Sequence, residues 1–154
     1  LSRSKPLGIT RRTWPEDPQG ITIGGTELSL TARDLAKFGY LYLNGGAWDG
    51  RQVVPREWVA ESTREHSLVV PPDASDRPAI GYGYLWWLRE QAGHASHMAV
   101  GHGGQFAYVI PDLDLLVVMT GRLSKIPRTF SDNRMIREFN VVEDAIVPAV
   151  TEGA

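Results

Sequence analysis

Four short patterns in this chain carry residue types whose spacing could do chemistry. Ser2-Arg3-Ser4-Lys5 sets an amine three residues after a hydroxyl, a spacing at which one helical turn could bring a lysine against a serine nucleophile. Tyr42-Leu43-Asn44 sets a phenol two residues before an amide. His94, His97 and His102 lie close enough in sequence to suggest a metal. Gly101-His102-Gly103-Gly104-Gln105 offers bare backbone that a ligand could approach closely, beside one imidazole.

Each has a plainer reading. Ser2 begins no amphipathic helix, so nothing brings Lys5 onto the adjacent turn. Tyr42 falls on the apolar stripe of its own helix, and Asn44 stands where that helix stops. The histidines have neither His-x-x-x-His spacing nor matching carboxylates, so no metal and no other cofactor is expected. No helix start with Lys-Ser/Thr follows the glycine cluster, which excludes a phosphate loop. No Gly-x-Ser-x-Gly elbow occurs, which disfavours an α/β-hydrolase. Taken alone, His102 reads as a strand-end histidine. Trp86 and Trp87 alternate across a strand, so at most one faces a cleft and the other belongs to the core.

The elements that must position these residues come in a clear order. Residues 1–25 are broken by prolines and glycines and read as irregular. Thr31 can cap a helix carrying Leu35, Phe38, Gly39 and Tyr42 on one stripe, stopped by Asn44-Gly45-Gly46. Pro55 suits the first turn of a second helix through Trp58 and Ser62, so 31–66 reads as helical. From Gly81 the period becomes 2, and 81–121 reads as antiparallel strands. These are Tyr82–Leu88, His97–Gly101, and a hairpin of Phe106–Ile110 with Leu115–Thr120 around Pro111-Asp112. Leu115–Met119 is apolar without alternation, as a strand buried on both faces would be. A last helix is expected over 131–147, ended by Pro148. The whole is an α+β layout, an antiparallel sheet flanked by helices, within one domain spanning 1–154.

Composition narrows the function. The chain is 42% hydrophobic and 22% charged with net charge -2, and no basic run could track a phosphate backbone, so nucleic acid is not an expected partner. No apolar run approaches the roughly 20 residues of a membrane span. No signal peptide is visible, and the compartment stays open between periplasm and cytoplasm. Without cysteine there are no disulfides, thiolate nucleophiles or cysteine zinc sites.

Several stretches together resemble the β-lactamase/penicillin-binding-protein-like serine hydrolases, which include esterases, D-Ala-D-Ala peptidases and aminohexanoate-dimer hydrolases. They are Gly24-Gly25-Thr26-Glu27-Leu28, Leu30 through Gly39, Leu41 through Gly46, Tyr82 through Trp87, and Gly101-His102-Gly103-Gly104-Gln105 before a Pro-Asp-Leu-Asp turn. The resemblance implies the C-terminal part of a β-lactamase/transpeptidase-like fold, with the Ser-x-x-Lys and Tyr-x-Asn/Ser elements upstream. It implies that His102-Gly103-Gly104 stands where relatives have Lys-Thr-Gly on an edge strand beside the cleft. That departure points away from β-lactams and towards esters and amides. By the same resemblance, Gln105 gives a backbone N–H to the oxyanion hole and His102 a polar or partly cationic group. Gly103, Gly104 and Trp86 would bind the small-molecule substrate. The expected partner is the missing N-terminal half of the same domain, without which the chain alone is expected to be inactive. The competing expectations are a non-catalytic peptide- or glycan-binding module, or an inactive incomplete gene product.

Overall fold

The computed structural model of the chain describes residues 6–69, 79–91, 93–101, 103–121 and 141–152. Helix α1, Ala32–Leu43, starts where the sequence supplies a cap. The Thr31 hydroxyl accepts from the Asp34 N–H at 3.1 Å and donates to the Asp34 carboxylate at 2.9 Å. Lys37 lies 2.8 Å from the same carboxylate, and these bonds, Lys37 first, hold Asp34 below the usual carboxylate range. At the far end Asn44 donates from its side chain to the Tyr40 carbonyl, 2.9 Å away. The literal Tyr-x-Asn match is therefore a helix ending.

Strands β1 (Ala47–Trp48) and β2 (Arg51–Gln52) close on Asp49 and Gly50, both at positive φ, the geometry of a tight Asp-Gly hairpin. Helix α2, Arg56–Ser62, follows Pro55. Six strands then form one antiparallel meander in sequence order: β3 Ser67–Val69, β4 Ile80–Tyr82, β5 Trp87–Gln91, β6 His94–Gly101, β7 Gln105–Ile110 and β8 Leu115–Met119. Met98 pairs with Tyr108 and His97 with Val109, which sets the two faces of the central hairpin.

One face packs on α1, so tightly that a Cβ on Gly39 would lie 2.6 Å from Leu116. Its core holds Leu41, Tyr42, Val54, Val59 and Trp86, together with Leu7 and Ile9 from the N-terminal segment. Among its described residues that segment has no regular element beyond two isolated bridges, yet Leu7 and Ile9 are core, while Ile21 is exposed. The other face carries Met98, Tyr108 and Ile110 against Val142 and Val147. Those last two come from a π-helical turn, Val142–Ile146, and helix α3, Val147–Thr151.

Three sequence expectations need correction. Tyr82–Leu88 is not one strand: β4 ends at Tyr82 and β5 begins at Trp87. The chain turns between them because Gly83 backs onto α2, where a Cβ would meet the Ser62 carbonyl at 2.3 Å, and Leu85 takes a φ of 66°. β8 is not buried on both faces; all five residues are half-exposed, since it ends the sheet among the described residues. The fully buried strand is its neighbour β7, from Phe106 to Ile110. Pro148 does not end a helix but sits in the first turn of α3, where no N–H is needed. The earlier part of that expected helix, 131–140, lies outside the described residues.

Candidate active site

Gly101 at the end of β6 pairs with Gln105 at the start of β7, so residues 102–104 form the connection of a hairpin. Gly103 and Gly104 have φ of 85° and 81°, in the left-handed region where a side chain is strained. Two successive bare left-handed residues leave the backbone of the turn uncovered by any side chain of their own. His102 lies outside the described residues. The expectation of an edge strand here is corrected: β6 and β7 are interior strands among the described ones, and Gly103 and Gly104 lie between them.

A residue not singled out from the sequence closes this turn. Gly121, just past β8, accepts a hydrogen bond at its carbonyl from the Gln105 carboxamide Nε2, 2.8 Å away. A Cβ placed on Gly121 would sit 2.0 Å from the Gly103 carbonyl oxygen and 3.4 Å from the Gly104 α-carbon. The Gln105 side chain is thus engaged in structure, while the expected role concerned its backbone N–H.

Trp86, expected at the substrate, is core. It is 3% exposed, stacks on Phe38 with centroids 5.9 Å apart, and meets Tyr42 and His97 on its other sides. The turn at 83–86 sends it inward, and no face remains for a ligand. Trp87 packs against Tyr82 and the opposite core instead.

The other histidines go separate ways. His94 Nδ1 lies 2.6 Å from Asp112 Oδ2 at the surface. His97 is buried in the aromatic nest of Tyr42 and Trp86, its Nε2 without a partner, and burial pushes its pKa down to about 4. On the opposite face Ser96 donates to the Tyr108 hydroxyl at 3.2 Å, which donates to Glu143 at 3.3 Å, with Arg89 3.3 Å from the same carboxylate oxygen. Burial raises the Glu143 pKa against the pull of Arg89. Among the described residues no group of three metal-ligating side chains converges.

Two further surface features went unseen in the sequence. An open groove of about 770 Å³ is lined by Tyr42, Arg56, Ser96, His97 and Asp112, among others. It sits at the start of β6, roughly 25 Å along the strand from the glycine turn. On α2 and the loops beside it, Trp58, Tyr84 and His66 form an exposed stack, with Tyr84 and His66 centroids 4.0 Å apart. Neither adjoins the turn in sequence or in the sheet.

The comparisons agree with this architecture. The sequence profile of the beta-lactamase family matches residues 3–140. A 6-aminohexanoate-dimer hydrolase of Paenarthrobacter ureafaciens is 31% identical over 106 residues, covering 66% of this chain and 26% of that protein. An uncharacterised protein of Alkalihalophilus pseudofirmus is 26% identical over 140 residues, covering 81% of this chain and 40% of its own length. Among solved structures, a proposed 6-aminohexanoate-dimer hydrolase from Bacillus anthracis superposes with a TM-score of 0.70 at 23% identity. That match takes in 95% of this chain and 36% of the other. A penicillin-binding-protein homologue from Caulobacter crescentus gives 0.51 at 20% identity, over 62% of this chain and 27% of its own. The chain therefore spans two-fifths or less of the length of each of these proteins. Among the described residues no helix is long and apolar enough to cross a membrane. With a profile match over most of its length and helices packed on an antiparallel sheet as in its structural neighbours, the chain belongs to the beta-lactamase family, a family of serine-hydrolase type.

Proposed function

We propose that this chain is the C-terminal portion of a serine hydrolase that cleaves ester, amide or lactam bonds through an acyl-enzyme. Its contribution is one wall of the cleft. The glycine turn leads into Gln105, whose backbone N–H would be one oxyanion donor, the second coming from the N–H of a serine upstream. An acyl-enzyme also needs an activated nucleophile, and in this reading the upstream segment supplies it with its lysine. Gly103 and Gly104 would face the substrate, and His102 would place a polar group beside it.

The observation that carries the proposal is the pair of left-handed glycines at the head of β7. They add no side chain of their own beside the Gln105 N–H, at the position where the resemblance would put the third motif of the family. The likeness to a 6-aminohexanoate-dimer hydrolase supports an amide among the candidate substrates. The half-exposed apolar strand β8, at one end of the sheet, supports a further segment docking there.

Intact-mass spectrometry after treatment with a fluorophosphonate tests the proposal. The chain alone should take up no adduct, because among the described residues no serine hydroxyl is hydrogen-bonded to a lysine, histidine or carboxylate. The same chain joined to an upstream segment carrying Ser-x-x-Lys should take up one. In that protein Gly104→Val should lower kcat by about 10²–10³, the usual effect of losing one oxyanion donor. Stoichiometric labelling of the chain alone, or an intact reading frame without Ser-x-x-Lys, would overturn the reading. The second outcome would favour a binding module, for which the exposed stack of Trp58, Tyr84 and His66 is the one supporting observation.

A further inference from the structure

We infer that the Gln105 side chain and the bare α-carbon of Gly121 act together as a clamp that positions the Gly103–Gly104 turn. The inference rests on the functional reading above and names positioning residues for that site. Two consecutive left-handed glycines have many accessible conformations, so a turn built from them is by itself loose. A donor aimed at a developing oxyanion is useful only if its direction is fixed before the reaction. The turn therefore needs an external brace, and the structure contains one.

The brace has two parts. The Gln105 carboxamide reaches across to the Gly121 carbonyl at 2.8 Å, tying the first residue of β7 to the residue beyond the end of β8. Gly121 itself lies against the turn, with room for no side chain: an added Cβ would be 2.0 Å from the Gly103 carbonyl oxygen and 3.1 Å from its carbon. Both atoms are backbone and cannot swing aside. Gly121 is absent from the residues with positive φ, so space rather than backbone conformation demands glycine there. One contact ties the first residue of β7 to the residue past β8 and the other sets how closely that residue and the turn approach; together they would fix the direction of the Gln105 N–H.

Hydrogen exchange and steady-state kinetics on the intact gene product that carries this chain test the clamp. Gln105→Glu keeps the shape of the side chain but removes the donor. Gly121→Ala introduces the collision. Each should speed exchange of the amides at 103–105 by at least about tenfold relative to those at 107–109, because a local opening replaces a fixed turn. Each should lower kcat on an activated ester by about 10²–10³ and leave KM within a few-fold, since alignment in the transition state is what is lost. In Gln105→Glu the protection should return below the carboxyl's ordinary pKa of about 4.3, where a protonated acid can again donate to the Gly121 carbonyl.

Unchanged exchange in folded Gln105→Glu overturns the clamp, and this variant decides the matter if Gly121→Ala fails to fold. Faster exchange with unchanged kcat overturns its part in the oxyanion turn. An intact wild-type protein with neither turnover nor a fluorophosphonate adduct removes the functional reading instead, and exchange alone then decides whether the clamp exists.

Discussion

The indole of Trp86 lies parallel to the ring of Phe38, with their planes 2° apart and their centroids separated by 5.9 Å. This contact joins the start of β5 to the middle of α1 and anchors the helical layer on the sheet. Trp86 also meets Tyr42 at 4.5 Å and His97 edge-on at 4.9 Å, so four rings share one pocket of the core.

Trp86→Ala should therefore cost stability and not substrate affinity. Removal of a buried tryptophan is worth about 3–5 kcal/mol, cavity included. Urea unfolding followed by far-UV circular dichroism measures it. A variant of unchanged midpoint whose intact form had a raised KM would return Trp86 to the cleft.

His97 should make the protein acid-sensitive. Its folded pKa of about 4 lies below the unfolded value near 6.5, so protons bind the unfolded chain preferentially. Its stabilising contribution is complete above about pH 6.5 and is lost as the pH falls through the folded pKa, with a full span of about 3 kcal/mol. His97→Phe, which keeps a ring in the aromatic nest, should flatten the fall in unfolding free energy between those two values. Identical slopes for the two proteins would show that the imidazole is solvated.

Glu143 has the opposite sign. Burial raises its folded pKa, so the stability it contributes is present below the ordinary carboxylate pKa and is lost as the pH rises through the raised value. The Arg89 guanidinium at 3.3 Å and the Tyr108 hydroxyl at the same distance only partly offset the burial. Glu143→Gln keeps the shape and a hydrogen-bonding oxygen while removing the charge. It should gain stability relative to the wild type as the pH is raised from acid to neutral. A relative loss over that range would mean that the ion pair with Arg89 outweighs desolvation.

Helix α1 was legible because its signals are local. Thr31, Asp34, the apolar stripe and Asn44-Gly45-Gly46 all act within a few residues of the backbone that they shape. The family resemblance was legible for a related reason, since its short motifs keep their order along the chain. What failed depended on distant neighbours. The sequence around Tyr82–Leu88 alternates like a strand, and the turn that buries Trp86 depends on the distant Ser62 and Arg64 carbonyls behind Gly83, with the Ser62 carbonyl accepting from the Tyr84 N–H. The glycine turn was visible, but its brace was not, because Gln105 and Gly121 are brought together only by the end of β8. The apolar run of β8 signalled burial without saying which neighbour provides it.

That last point leads to a test of the edge. β8 carries Leu115-Leu116-Val117-Val118-Met119, all half-exposed, and pairs with β7 on one side only among the described residues. Leu116 packs against α1 and Leu115, Val117 and Met119 against the opposite core, while the outer edge of the strand has no paired neighbour among the described residues. An edge of that kind is a template for another strand. The chain alone should therefore self-associate as its concentration rises in sedimentation velocity, and should bind a hydrophobic dye. Val118→Lys places a charge on this edge strand at a half-exposed residue that belongs to neither core cluster, and its long stem can still lie along the apolar face. This variant should shift the chain towards monomer with its far-UV spectrum unchanged, and lower the dye signal. Joining the upstream segment should have the same effect in the wild type, because the proposed neighbour would then occupy the edge. A wild-type chain that stayed monomeric with no dye binding would mean that β8 needs no neighbour, and the proposal of a docking segment there would fail.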